Sequence, residues 1–385
     1  MKKSVTRDKS KPTLKSVSIL IGVGILFAIF VIEIATRLAP ELIPSAIRIH
    51  FRDETYRVWG LIPDEDLGVK YPPDLINFSS PTLDGEGRRI SSHPVSTVSL
   101  GYQGIGFRDD GIDSEAFAAA VGDSFTSCVG VEMKECWVEI LEREVGQDFA
   151  NLGIPGYGPQ QEQRMLTKYG LPLKPKLILW VFFANDPDDA WRFDQFGKGG
   201  IREGKFWESP VRTWLVENSA TYMFLTFFWH NRRFIYNLLT DKNDLTEYNN
   251  QGLFPRSKLI WWETVTDLTN PMTVEGINLT QKTILEAKQQ TQLAGVEFVV
   301  VIIPTREQIY YVDTVLQSQL DSLNEHLVDF CQQNDISVID LTSGMKEKAQ
   351  DEPFMYFRRD LHLNSIGNEI VAELLAQELK VFLVQ

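Results

Sequence analysis

From Glu115 onward the chain alternates short apolar runs with amphipathic stretches, and this pattern constrains the fold more than any other feature. The runs at 117–121, 148–152, 177–183, 296–303 and 337–339 have the length and apolar character of buried strands. Helical patterns lie near 137–145, 159–169, 279–294, 314–333 and 365–379. Strands separated by helices run parallel, because each crossover carries the chain back to the same end of the sheet, and the helices then cover both faces. The expected fold is α/β, a three-layer α/β/α sandwich built on a flavodoxin-like five-stranded parallel sheet.

Such sheets gather their reacting groups at the carboxyl ends of the strands. The first run leads directly into Gly122-Asp123-Ser124-Phe125-Thr126. Taken alone these are ordinary turn residues. A serine hydroxyl is a weak nucleophile at neutral pH and needs a base, and the chain has only five histidines. His50 lies near the amino-terminal end, His93 in a proline-broken stretch, His230 in an aromatic insertion and His326 in an amphipathic helix. Only His362 falls in a loop between the last strand and the last helix. Asp360, two residues before it, is close enough to fix the imidazole tautomer and stabilise the imidazolium. Two further strand ends offer donors for a developing oxyanion. Glycines in Asn151-Leu-Gly-Ile-Pro-Gly156 let a backbone N–H approach a ligand, and Asn185 carries a side-chain amide.

Four strand ends delivering Ser, Gly, Asn and Asp/His in this order resemble the SGNH (GDSL-type) hydrolases. Gly122-Asp123-Ser124 is similar to their first block, Asn151 through Gly156 to the second, Asn185-Asp186 to the third and Asp360/His362 to the last. Ile303-Pro304-Thr305-Arg306 and Met355 through Asp360 resemble a membrane-anchored bacterial branch. The resemblance implies Ser124 as nucleophile, His362 as base and Asp360 as its orienting partner. It implies an oxyanion hole made of the Ser124 and Gly156 N–H groups and the Asn185 side chain. The chain departs from the family at Phe183, where a glycine is usual, and in its Asp-x-His spacing where Asp-x-x-His is usual. The shorter spacing also occurs in relatives that acetylate polysaccharides, and it weakens the expectation for Asp360 more than for His362. The α/β-hydrolase alternative fails because its nucleophile elbow needs glycine where Thr126 stands.

Charge and hydropathy address location and partners. The net charge is −14, yet residues 1–15 hold six basic residues against Asp8, which leaves −19 for the rest. So acidic a body excludes nucleic acid as a partner. The basic tail precedes an apolar run over 17–32, about the 20 residues a bilayer span requires. Positive flanks stay in the cytoplasm, and no clean cleavage site follows the run. The expected organisation is therefore a cytoplasmic tail (1–15), a single transmembrane anchor (16–36) and a membrane-proximal stalk (37–110) that packs onto the domain. An extracytoplasmic catalytic domain (111–385) follows, with an insertion at about 190–278. That insertion is rich in aromatics, among them Trp191, Phe193, Phe196, Phe206 and Trp207, which suit sugars or acyl chains. Its run at 220–229 is too short to span a membrane and reads as a helix over the sheet's upper edge.

No Cys/His spacing suggests zinc, and neither HExxH nor a Gly-Lys-Ser/Thr loop occurs, so neither metal nor cofactor is expected. Of Cys128, Cys136 and Cys331, at least one is free or pairs between chains. The expected function is ester hydrolysis on a small-molecule or glycan O-acyl ester. The alternatives are O-acetyl transfer to a cell-surface or exported polysaccharide and, from another class, a catalytically inactive glycan-binding protein.

Overall fold

Short runs of small and branched apolar residues form the central sheet of the computed structural model, which describes residues 14–38, 59–83, 89–112, 115–196, 219, 221–222, 266–310, 315–352, 354–357 and 360–383. The strands are β1 (Ala118–Val121), β2 (Phe149–Asn151), β3 (Leu177–Phe182), β4 (Glu297–Ile302) and β5 (Ser337–Asp340). Their order is β2-β1-β3-β4-β5, all parallel, as the flavodoxin-like expectation requires. Every residue of β1, β2 and β3 is buried, which is why β1 and β3 are apolar without alternation, while the buried Asn151 of β2 donates its Nδ2 to the Thr126 carbonyl. The register pairs Ala120 with Asn151, Val121 with Trp180 and Phe182 with Ile302. The segments leaving β1, β2, β3 and β4 therefore emerge along one carboxyl edge.

The helices that follow the strands have sequence-encoded ends. Helix α1 (Trp137–Val145) stops at Gly146, whose φ of 66° a β-carbon would disfavour. Helices α2 (Pro159–Met165) and α3 (Asp186–Phe196) follow β2 and β3. Helix α4 (Pro271–Ala294) starts earlier than the sequence pattern suggested. Asn270 caps it by accepting the Met272 N–H, and Pro271 occupies the first turn, where its missing N–H costs nothing. Helix α5 (Val315–Gln333) precedes β5, and α6 (Ser365–Glu378), with Asn364 as its cap, is followed by a last short helix at Lys380–Leu383.

Two compact units divide the chain, one of residues 1–51 with 207–243 and the other of 52–206 with 244–385. Residues 52–110, read from sequence as part of a stalk, thus belong to the same unit as the sheet. Leu67, Val69, Tyr71 and Phe107 are buried in its core. The prolines there sit in an antiparallel ribbon of Phe78–Leu83 with Arg89–Val95, where Pro81 faces Ser92 and Pro94 faces Ser79. A two-stranded ribbon is all edge and tolerates residues without an N–H.

In the smaller unit, Leu14–Leu38 is one helix of 25 residues. Leu20, Val23, Phe27 and Phe30 are exposed on it, and the Glu33 carboxylate accepts hydrogen bonds from the Thr221 N–H at 2.9 Å and the Ser219 hydroxyl at 3.1 Å. Among the described residues no helix is long and apolar enough to cross a membrane, so the anchor expected at 16–36 is not matched by a described span. Ile19, Ile21, Ile25 and Leu26, which carry much of the expected apolar run, have side chains outside the described set. Apart from Thr221 and Tyr222, the 220–229 segment also lies outside the described residues, as do Phe206 and Trp207.

Candidate active site

Chain reversal after β1 needs a residue without a β-carbon. A Cβ on Gly122 would lie 2.2 Å from the Thr126 hydroxyl and 3.0 Å from Val181 Cβ. With glycine there, the chain turns sharply and lifts Ser124, half-buried, above the sheet edge. The Ser124 Oγ stands 2.9 Å from His362 Nε2. On the other side of the ring, His362 Nδ1 hydrogen-bonds Asp360 Oδ1, and the same oxygen accepts the His362 backbone N–H at 2.8 Å. The shortened Asp-x-His spacing does not loosen the pair, because one carboxylate oxygen takes both the ring and the backbone donor. This network requires the tautomer with its proton on Nδ1, which leaves Nε2 free to accept from serine.

Phe183, the departure from the family's glycine, lies beneath the site. Its ring stacks on Phe125 at 3.6 Å, and Phe125 lies 5.2 Å from the His362 imidazole. Both phenylalanines are buried, so the substitution fills the floor of the site with apolar mass.

The expected oxyanion donors differ in availability. Among the described residues, neither the Ser124 nor the Gly156 N–H meets a protein acceptor. Gly156 is exposed, with a φ of 78°. The Asn185 amide, by contrast, is engaged: Nδ2 lies 2.6 Å from Asp189 Oδ2 and 3.3 Å from Asp123 Oδ2. Asp123 Oδ2 is also 3.3 Å from the Ser124 Oγ. The amide and the serine oxygen are therefore separated by at most twice that distance.

Carboxyl groups crowd behind this edge. Burial pushes the Asp123, Asp186 and Glu162 carboxyls upward, in the last two well above the ordinary range, where neighbouring carboxylates add to the rise; the Phe125 N–H and the His362 charge oppose it at Asp123. Burial also pushes Asp189 up to about 8, with the Asp188 charge adding and Arg192 opposing.

Several residues that shape the site carried no sequence signal. Arg108 is buried, and its Nη1 donates to the Ser127 carbonyl at 2.6 Å and to the Cys128 carbonyl, while Nη2 donates to that of Val131. A disulfide joins Cys128 to Cys136 across the same loop, and Cys331 is free and buried. His93, set aside by its place in the proline-broken stretch, is buried against this loop. Its Nε2 accepts the Gly130 N–H at 3.3 Å, and burial, then the Arg108 charge, lowers it to about 3. The spacing of two cysteines eight residues apart was the one available hint, and it left the pairing open. Of the insertion's aromatics, Trp191 Nε1 donates to Glu275 at 3.1 Å and Phe193 lies under the Arg164 guanidinium.

Among the described residues one acidic trio offers ligand atoms within 4.8 Å of one another, Asp109, Asp110 and Glu139. Both Asp109 oxygens already accept backbone N–H groups, from Gly111 and Asn151, at 2.8 Å. Burial and the neighbouring carboxylates hold Glu139 protonated up to about 9.

Residues 259–383 match the family model described as the SGNH hydrolase-like domain of the acetyltransferase AlgX. Over those residues the chain is similar to an SGNH hydrolase-like domain, an enzyme fold. A search of curated proteins finds no match. Among solved structures, the chain is similar to an acetyl xylan esterase at 11% identity and a TM-score of 0.39, covering 68% of this chain and 98% of that one. It is similar to a lipolytic G-D-S-L family protein from Veillonella parvula at 14% identity and a TM-score of 0.38, covering 69% and 97%. A psychrotrophic esterase from Pseudoalteromonas sp. aligns at 13% identity and a TM-score of 0.36, covering 70% and 98%.

Proposed function

We propose that this chain is a serine esterase of SGNH type that hydrolyses a carboxylic O-acyl ester through an acyl-Ser124 intermediate. The observation that carries this reading is the line of contacts from Ser124 Oγ to His362 Nε2 and from His362 Nδ1 to Asp360. In the first step Ser124 Oγ bonds to the ester carbonyl carbon while its proton passes to Nε2. Asp360 stabilises the imidazolium so formed without taking its proton. Negative charge on the former carbonyl oxygen is met by the Ser124 and Gly156 N–H groups and the Asn185 amide. The imidazolium then protonates the leaving alkoxide, and the acyl group remains on Ser124. Water, deprotonated by His362, releases the acid and restores the hydroxyl.

A second reading, O-acetyl transfer to a polysaccharide, differs only in that a sugar hydroxyl replaces water. The family match to the domain of an acetyltransferase favours it, as does the Asp-x-His spacing. Purified protein is given an activated acetyl ester with and without added oligosaccharide. Free acetate alone in both is the result expected for the esterase, and acetylated sugar would move the assignment to the transferase. No turnover in either, together with sugar binding, would leave the third reading, an inactive glycan-binding protein.

The location completes the proposal. The basic tail and the apolar run after it support an amino-terminal anchor, with the catalytic domain outside the cytoplasm and an O-acyl ester reaching it there. Protease added to intact cells should digest the domain. Mature protein beginning after Ala35 would contradict the anchor.

A further inference from the structure

The Asn185 amide is the one candidate oxyanion donor that rotates, and a donor that rotates must be held. An asparagine Nδ2 carries two N–H groups. One donates to Asp189 Oδ2 at 2.6 Å, a short contact, and the other faces Asp123 Oδ2 at 3.3 Å, beyond good hydrogen-bonding length. The amide oxygen is buried and meets no donor among the described residues. The orientation of the amide is thus set almost entirely from the Asp189 side.

Asp189 is itself well placed to do this. It sits one turn into α3, directly above Asn185, and its own N–H donates to the Asn185 carbonyl at 2.9 Å. The start of α3 is seated against α4, where a Cβ on Gly276 would come within 2.0 Å of the Pro187 carbonyl oxygen. On its other side the Gln160 side chain donates to the Ala190 carbonyl at 2.9 Å. The turn that carries Asp189 therefore has little room to shift, and the anchor is rigid.

We propose that Asp189 is a positioning residue. It holds one N–H of Asn185 so that the other, only weakly retained by Asp123, stays directed at the edge where the oxyanion forms beside Ser124. This rests on the reading above, in which Asn185 donates to the oxyanion. In the reaction the second N–H leaves Asp123 Oδ2 for the oxyanion, while the bond to Asp189 persists. A purely structural role, in which the bond only steadies the first turn of α3, predicts different behaviour.

The test is a double-mutant cycle on the full chain, with turnover and KM measured on an activated acetyl ester and thermal melts recorded for each variant. Asn185→Ala should lower kcat about a hundredfold to a thousandfold. Asp189→Ala should lower kcat about tenfold to a hundredfold, the scale of a misplaced catalytic group, with KM little changed. Asp189→Asn, which keeps a carbonyl acceptor, should retain most of the turnover. In the Asn185→Ala background, Asp189→Ala should change nothing further. Should Asp189→Ala fail to fold, Asp189→Ser, whose hydroxyl stops one bond short of the carboxylate oxygen, is read in its place. An equal loss from Asp189→Ala in both backgrounds would overturn the proposal, as would Asp189→Asn falling as far as Asp189→Ala. Loss in Asn185→Ala with parental turnover in Asp189→Ala would remove the positioning role alone. Parental turnover in Asn185→Ala would remove the oxyanion role and the proposal together.

Discussion

The loop that carries Ser124 and the loop that carries His362 meet across 2.9 Å, yet they are held in place by different means. After Ser124 the backbone carbonyls are capped one after another by side chains from distant segments. Trp137 Nε1 donates to Phe125, Asn151 Nδ2 to Thr126, and Arg108 to Ser127, Cys128 and Val131. The disulfide closes the same loop. The histidine loop also has props, with Arg306 donating to the Phe357 carbonyl and Tyr356 to that of Pro304. The direction of the imidazole, however, rests on Asp360 and on the apolar face of Phe125. Redundant ties make a position insensitive to loss of any single weak one. A single carboxylate makes a position fragile.

Substitutions can break this contrast, and the largest effect belongs to the histidine side. His362→Ala should cost several powers of ten in turnover, because neither serine activation nor leaving-group protonation survives. Asp360→Ala should follow at about four powers of ten, the scale of losing the triad aspartate in a serine hydrolase. That is a larger loss than the short spacing alone implies, because the Asp360 oxygen holds both the ring and the backbone N–H. Steady-state kinetics on one activated ester checks both, and an Asp360→Ala variant within tenfold of the parent would show that another group orients the ring.

On the serine side the principal effect falls on stability. Arg108→Leu strips donors from three buried carbonyls, each worth about 1–3 kcal/mol when left unsatisfied. Urea unfolding should register a loss of at least about 3 kcal/mol, while the folded fraction keeps its KM. A loss under about 1 kcal/mol would mean that water or the remaining ties replace the guanidinium.

The smallest effect depends on pH. Glu139, in the first turn of α1, has its carboxyl raised from 4.5 to about 9, chiefly by burial. Below pH 4.5 folded and unfolded chains both hold this proton. Between 4.5 and about 9 only the unfolded chain releases it, so stability falls as pH rises through that window. Glu139→Gln should therefore raise the melting temperature at pH 8 and confer nothing at pH 4.5. His93 acts in the opposite sense, since its lowered value of about 3 makes stability fall as acidification proceeds below 6.5. Melts of parent and variant across pH 4–9 check the sign, and a benefit independent of pH would contradict it.

The contrast between the loops also explains what the sequence made legible. The strands β1, β3 and β4 were readable because each is dominated by a continuous apolar run, β2 and β5 from shorter apolar cores at 149–150 and 338–339, and α1 because its apolar positions repeat with helical period and end at Gly146. That Ser124, Asp360 and His362 come together was readable because triad chemistry limits which residue types suffice, and five histidines left few candidates. Arg108, His93 and Asp189 were not, because nothing local distinguishes a buried arginine that caps three carbonyls from a surface one. Their roles exist only once segments distant in sequence converge. The ribbon at 78–95 was hidden by Pro81 and Pro94, which argue against a strand unless it is an edge.

The central claim is that Ser124 is the nucleophile activated by His362, and covalent labelling tests it most directly. Full-length protein is treated with an organophosphonate and the adduct mapped by mass spectrometry. One adduct per chain is predicted, on the peptide containing Ser124, lost in Ser124→Ala and slowed by several powers of ten in His362→Ala. An adduct on a different serine, or undiminished labelling of Ser124→Ala, would contradict the account.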